Sequence, residues 1–150
     1  MNIEKVLNRY LTEENLTAKE IYKNHRYDLF DELLEKDKTG EWICHAGYFW
    51  KEFDYEKGFE KLLEKDKTGQ WIFNAGNNWK EFDYEKGFDE LLEIDKEGQW
   101  IYYSGLNWKE FNHNKAFNFI NDHFWKKQTK IHWSPFNEME SNGQLLLNFN

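Results

Sequence analysis

The chain repeats itself with a period of 29 residues. Three consecutive copies occupy residues 26–54, 55–83 and 84–112. The second and third copies are identical at 20 of 29 positions, and the first and second copies at 18. A fixed period of this length is typical of repeat architectures, in which one unit cannot bury its apolar side chains alone and packs on its neighbours. The period therefore constrains the fold more than any other feature of the sequence.

The first half of each copy has the pattern of an amphipathic helix. In the second copy, four apolar residues follow the i, i+4, i+7, i+8 spacing of one helical stripe. They are Tyr55, Phe59, Leu62 and Leu63. Asp54 precedes the stripe and is predicted to be the N-cap, as are Asp83 and Asn112 in the following copies. Gly69 is predicted to end the helix as a C′ residue in the left-handed conformation, and Gly40 and Gly98 are its equivalents.

The second half of each copy predicts a shorter helix. Trp71, Ile72, Ala75 and Trp79 fall at i, i+1, i+4 and i+8. A strand over residues 70–74 is the main alternative, because Trp, Ile and Phe favour strands. A five-residue strand does not explain why Ala75 and Trp79 also recur in the other copies. The unit is therefore predicted to be helix, glycine turn, helix and loop, with one tryptophan ladder at Trp42, Trp71 and Trp100 and a second at Trp50, Trp79 and Trp108.

Comparison of the copies divides the second helix into a fixed and a variable face. On a wheel of about 100° per residue, the positions that recur cluster near 70° and those that vary cluster near 270°. Gly76, on the fixed face, is predicted to let another backbone approach. The variable residues Cys44, Phe73 and Tyr102 share one largely apolar position, so packing is at least as plausible for them as recognition. The other variable positions are the candidate partner-binding residues, because aromatic and Asn side chains are typical of recognition surfaces. They are His45, Tyr48, Phe49, Asn74, Asn77, Asn78, Tyr103, Leu106 and Asn107.

The unit resembles the helical hairpins of α-solenoid proteins of the TPR and HEAT classes. The resemblance rests on architecture, because the 29-residue unit lacks the 34-residue TPR signature. It implies an all-α fold, a right-handed stack of helix-turn-helix repeats with degenerate terminal caps. Residues 1–150 are expected to form a single domain. Residues 1–25 would be capping helices, residues 26–112 the three repeats, and residues 113–150 a divergent fourth repeat and tail.

The ends of the chain follow the repeat only in part. A helical stripe is predicted upstream at Ile3, Val6, Leu7, Tyr10 and Leu11. A second segment, residues 16–23, places Ile21 one period before Trp50. Downstream, Phe117 and Ile120 occupy the positions of Phe88 and Leu91 in the third copy. Trp125 and Trp133 do not fall on either tryptophan ladder at a period of 29, so the register is predicted to fail there.

Composition and charge restrict the location and the partners. The 150-residue chain has one cysteine, which suits a reducing compartment, and no apolar leader, so we expect a cytoplasmic protein. No window approaches 18 apolar residues, so no membrane segment is expected. The net charge of −8 opposes direct binding to nucleic acid and permits a partner with a basic surface. The oligomeric state stays open.

Catalytic and metal-binding signatures do not occur in the sequence. Cys44 and His45 would point about 100° apart on a helix, so they do not form a nucleophile and base pair. The histidines near the C-terminus have spacings that match no metal signature. An enzyme built on these histidines and the neighbouring carboxylates is the least favoured hypothesis. This C-terminal histidine set comprises His113, His123, His132, Asp122, Glu138 and Glu140. Residues 64–67 are interpreted as a solvated charged face. We expect no cofactor and no metal.

The sequence favours a non-enzymatic module that binds a protein or peptide through the variable face of the second helices. The alternative is a small acidic inhibitor of the anti-defence, anti-CRISPR or immunity type. Such a protein would block a basic site on a nuclease or a nucleic-acid-binding protein. The small size and the charge of −8 motivate this alternative.

Overall fold

The structure is a computed structural model that describes residues 2–3 and 15–133. Residues 15–133 contain nine α-helices and no strand, which confirms the all-α prediction. A 3-10 turn, Tyr27–Leu29, precedes the second helix. The helices are α1 (Ala18–Lys23), α2 (Phe30–Lys36), α3 (Glu41–Phe49), α4 (Tyr55–Lys65), α5 (Gln70–Asn78), α6 (Tyr84–Ile94), α7 (Gln99–Asn107), α8 (His113–Phe119) and α9 (His123–His132). In this range, no helix is long and apolar enough to cross a membrane.

The helices belong to two compact units, Met1–Asp66 and Lys67–Asn150. In the first unit, α1 packs on α2 and α3, and α3 packs on α4. Its core contains Ala18, Ile21, Leu33, Ala46 and Trp50. In the second unit, α5 packs on α7 and α7 packs on α9, while α6 lies against both α5 and α7. The predicted single domain with repeats over residues 26–112 stays a prediction.

The predicted N-caps of the first helices are confirmed. The side chains of Asp54, Asp83 and Asn112 accept hydrogen bonds from the backbone N–H groups three residues later, at 3.0–3.1 Å. A cap of this kind satisfies one of the four backbone donors that every helix leaves unpaired at its start. The local sequence therefore fixes where α4, α6 and α8 begin.

The prediction that Gly40, Gly69 and Gly98 end the first helix is wrong. Their φ angles of 91°, 95° and 93° are left-handed as predicted, but each glycine is the N-cap of the second helix. The first helix ends three residues earlier, at a buried aspartate: Asp37, Asp66 or Asp95.

The buried aspartate explains the position of that glycine. Asp37 accepts from Gly40 N on Oδ1 (3.1 Å) and from Ile43 N on Oδ2 (2.8 Å), so it caps the start of α3 across the turn. Residues 64–67 are consequently not a uniformly solvated face, because Asp66 is only 1% exposed.

Each second helix ends one residue before a buried tryptophan. Trp79 has extended backbone angles (φ −73°, ψ 146°), so its predicted place on the helical stripe is wrong. In this conformation the indole can reach away from its own helix. In the second unit, Trp108 Nε1 donates to the carbonyl of Phe73 (3.1 Å). A Cβ on Gly76 would overlap Trp108 Nε1 and Cε2. Gly76 therefore makes room for an indole ring, and the prediction that it lets another backbone approach is wrong.

The repeat register was predicted to fail after Ile120. It instead continues with a shift of four residues. Trp133 Nε1 donates to Tyr102 O (3.0 Å), the same bond that Trp108 makes one repeat earlier. Trp133 is fully buried and lies where a Cβ on Gly105 would be. The difference lies in α8, which has 7 residues where α6 has 11. Four residues are about one helical turn, so their loss keeps the later side chains on the same face.

The N-terminal register also differs from the prediction. Trp50 Nε1 donates to the carbonyl of Tyr22 (3.1 Å), so Tyr22 takes the position of Phe73 and Tyr102 in the later repeats. Ile21 is therefore the counterpart of Ile43 and not of Trp50. Thr17 caps α1 through a capping box with Glu20 and replaces the glycine of the other copies. The upstream stripe at Val6, Leu7, Tyr10 and Leu11 and the tail of residues 134–150 lie outside the described residues.

Candidate interaction surfaces

The variable residues of the first repeat lie on a helix that is held at both ends. Asp37 caps the start of α3, and Trp50 closes its end by donating to Tyr22 O. Tyr55 OH also donates to the carbonyl of Gly47 (3.3 Å). These contacts bury one face of α3 and leave its last turn exposed at Tyr48 and Phe49.

Tyr48 and Phe49 belong to an aromatic cluster on the first unit, which we name the first patch. Their side chains are 52% and 57% exposed, and their ring centroids lie 4.4 Å apart in an edge-to-face arrangement. His45 is half-buried between the rings of Tyr22 (5.7 Å) and Trp42 (5.6 Å), with Nε2 3.9 Å from a carboxylate oxygen of Glu41. The first patch comprises Tyr22, Trp42, His45, Tyr48 and Phe49.

The asparagine residues of the second repeat have a partly structural role. Asn74 is half-buried, whereas Asn77 and Asn78 are exposed. The amide of Asn78 donates to the carbonyl of Asn74 (2.9 Å) at the end of α5. Asn107 makes the same bond to Tyr103 O (2.8 Å) at the end of α7. Both amides therefore bond back to a carbonyl of their own last helical turn.

Tyr103 lies inside an aromatic cluster of the second unit. Its ring is half-buried, with Trp100 and Trp125 at 5.8 Å and Phe73 at 6.0 Å. Exposed apolar side chains lie on the same helices: Leu106 on α7 is 44% exposed, and Phe124 on α9 is 58% exposed. We name Tyr103, Leu106, Phe124 and Trp125 the second patch.

Phe124 and Trp125 are not among the partner-binding residues predicted from the sequence. Trp125 follows Trp100 by 25 residues, the same separation as between Trp108 and Trp133. A comparison that allowed a four-residue deletion would have placed Trp125 on the first tryptophan ladder. It would also have placed Phe124 beside that ladder, in the position of Gln99.

The position shared by Cys44, Phe73 and Tyr102 is a packing position in each unit. All three side chains are buried. Burial, together with the negative charges of Asp66 and Asp37, raises the pKa of the Cys44 thiol to about 12. Tyr102 OH lies 2.8 Å from His132 Nδ1. These side chains therefore serve the interior of the units.

Three described members of the C-terminal histidine set, His113, His132 and Asp122, make structural contacts, whereas His123 is exposed at the first position of α9. His113 Nε2 donates to the carbonyl of Gly105 (2.8 Å), at the position where Tyr84 donates to Gly76 O. Asp122 caps α9 by accepting from Trp125 N (3.1 Å). Among the described residues, no three His, Cys, Asp or Glu side chains are placed to hold a metal ion. Glu138 and Glu140 lie outside the described residues.

Comparison of the chain with models of protein families, with curated proteins and with solved structures finds no significant match in any of the three.

Proposed function

We propose that the chain is a non-enzymatic module that binds a protein or peptide through the variable face of its second helices. The observation that carries this proposal is the pair Tyr48 and Phe49, two adjacent aromatic side chains that are each more than half exposed. Exposed aromatic residues on a rigid element are typical binding anchors, because their burial releases a large apolar area at a small cost in conformational entropy.

The second unit supports the same proposal. The positions of Tyr48 and Phe49 are occupied by Asn77 and Asn78 on α5 and by Leu106 and Asn107 on α7, and all four side chains are exposed. The backbone of the hairpin is thus shared between copies while the exposed chemistry changes. We also propose that the hairpins continue as a right-handed α-solenoid, because the tryptophan-to-carbonyl bond recurs within both units.

The alternative proposal is a small acidic inhibitor that occupies a basic site on a nuclease or nucleic-acid-binding protein. The net charge of −8 supports it. The carboxylates of the first helices also support it, because Asp31, Glu35, Glu56 and Glu60 are all exposed. Such a complex would depend on long-range charge attraction, which salt screens over about 10 Å at 0.1 M.

Capture of partners from native cell extract separates the two proposals. The full chain is compared with Tyr48→Ser/Phe49→Ser and with a control, Lys51→Ser/Glu52→Ser, which changes two neighbouring exposed residues. Binding through the aromatic pair predicts that the first variant loses the partner, while the control and a moderate rise in salt do not. An acidic inhibitor predicts loss with salt and no effect of either variant. Recovery of no specific partner by any of the three proteins would contradict both proposals.

A further inference from the structure

A groove in the second unit, beside the first helices of its hairpins (α6 and α8), has an apolar floor and an acidic rim. It has a volume of about 330 Å³ and lies between the start of α6, α8 and the loop that joins α7 to α8. Its floor consists of Phe88 and Phe111, whose ring centroids lie 5.1 Å apart at an interplanar angle of 88°. None of the candidate partner-binding residues lines the groove.

Three carboxylates and one ammonium group line this groove. The carboxylates belong to Glu85, Asp89 and Glu110, and the ammonium group belongs to Lys115. Burial, and then the charge of Glu110, raise the pKa of the neighbouring Tyr84 hydroxyl. The groove therefore has an excess of negative charge beside two aromatic rings, and both features attract a cation.

The chain already places one cation of its own in this groove. Lys115 Nζ lies 5.9 Å from the centroid of the Phe88 ring and 3.7 Å from Asp89 Oδ1. The side chains of Lys115 and Asp89 are 50% and 59% exposed, so water screens this ion pair and it is weak. An incoming guanidinium group could make the same contacts and displace the lysine. Its planar group stacks on aromatic faces and pairs with carboxylates through two hydrogen bonds.

We propose that this groove binds an arginine side chain presented by a basic segment of a partner protein. The carboxylates of Glu85, Asp89 and Glu110 supply the charge complementarity, and Phe88 and Phe111 supply the ring surfaces. Lys115 acts as an internal competitor that lowers the affinity of the empty groove for cations. The site shares no lining residue with the binding face proposed above and does not depend on it.

The test is an NMR titration of the full chain with a glycine-serine peptide that contains three arginines, followed at the backbone amides of Phe88 and Phe111. The matched probe has citrulline, a neutral analogue, in place of each arginine. We expect saturable shifts with the arginine peptide and none with the citrulline peptide. Glu110→Gln should weaken binding by about two- to fivefold, the range of one exposed charge contact. Lys115→Met should strengthen it by a similar factor.

Two matched variants distinguish the groove from general attraction to an acidic protein. Glu93→Gln removes a negative charge from α6 and is the control for Glu110→Gln. Lys96→Met removes a positive charge from the turn after α6 and is the control for Lys115→Met. Neither Glu93 nor Lys96 lines the groove. Both should change the affinity by much less than the groove variants. Equal effects of Glu93→Gln and Glu110→Gln would overturn the proposal, as would shifts spread over the whole chain. Tyr48→Ser/Phe49→Ser should leave the titration unchanged, so this proposal and the proposed function can fail separately.

Discussion

Replacement of Gly76 by alanine should destabilise the second unit, although the same change usually stabilises a helix. A Cβ at this position would overlap Nε1 and Cε2 of Trp108 and would lie 2.8 Å from its Cζ2. Carbon atoms in good contact are about 3.5–4.0 Å apart, so the indole would have to move by roughly 1 Å. It is held by the bond from Nε1 to Phe73 O and is only 7% exposed.

The expected size of the effect has three contributions. Overpacking of a dense core costs about 1–3 kcal/mol. Loss of the indole hydrogen bond costs about 1 kcal/mol. Alanine is favoured over glycine inside a helix by about 0.8–1 kcal/mol, which offsets the lost hydrogen bond. Gly76→Ala is therefore expected to lower the free energy of unfolding by about 1–3 kcal/mol.

Urea denaturation followed by circular dichroism measures this change in the free energy of unfolding. A second measurement in the Trp108→Phe background completes a double-mutant cycle. The smaller ring leaves space for the methyl group and has no indole hydrogen bond to lose, so Gly76→Ala should no longer destabilise the chain in that background, with a coupling of about 2–4 kcal/mol. If Gly76→Ala instead stabilises the wild-type chain by about 0.5–1 kcal/mol, helix propensity alone governs the position and the packing argument is refuted.

Three further predictions concern single buried groups. Ser104→Ala should raise the free energy of unfolding by about 1–2 kcal/mol in urea denaturation, because the buried Ser104 hydroxyl has no hydrogen-bond partner. The second copy already has alanine, Ala75, at this position. A loss of stability would contradict this prediction. Cys44, with a pKa of about 12, should react with an aromatic disulfide reagent only as fast as the chain opens, so immediate labelling in native buffer would disprove its burial. Burial raises the pKa of the Asp95 carboxyl despite its backbone hydrogen bonds, and an NMR titration should find the pKa above that of the unfolded chain. Since the folded state then binds the proton more tightly, this group contributes its full stability at pH values below the unfolded pKa and loses it as the pH rises through the folded pKa.

The parts of the fold that depend on neighbouring residues were predicted from the sequence. The helices and their N-caps at Asp54, Asp83 and Asn112 follow from spacing and cap chemistry within a few residues, and the structure confirms them. The burial of Asp66 could not be predicted in this way. Asp66 and Lys67 both recur in the copies, but the aspartate is buried and the lysine is exposed. Only the folded turn, in which a carboxylate receives backbone N–H groups of the next helix, distinguishes them.

The continuation of the repeat was hidden by a fixed period. Trp125 and Trp133 follow Trp100 and Trp108 by 25 residues each, and the missing four residues come from α8. A change of about one helical turn preserves the facing direction of the later side chains, so packing tolerates it while a strict 29-residue alignment does not. The sequence contained this signal, but only a comparison that allowed deletions would have found it.

The exposure of the candidate residues could be predicted only in part. A helical wheel gives the direction of a side chain but not the elements beyond it. The wheel grouped Tyr103 with Asn107, yet Tyr103 is half-buried by Trp100 of its own helix, Phe73 of α5 and Trp125 of α9. Tyr48 has no comparable enclosure and is 52% exposed. Tyr48 is therefore a better test position than Tyr103, where substitution would also disturb packing.

Site-specific photo-cross-linking in native cells tests most directly whether the ends of the second helices form the binding face. The photoreactive residue p-benzoylphenylalanine replaces Tyr48 in one variant. In another variant it replaces Glu60, an exposed residue of α4, which is the first helix of the second repeat. Mass spectrometry of the products then identifies any attached protein. We predict a discrete adduct from position 48 and none from position 60. An adduct from position 60 alone, or from neither position, would contradict the assignment of binding to the variable face.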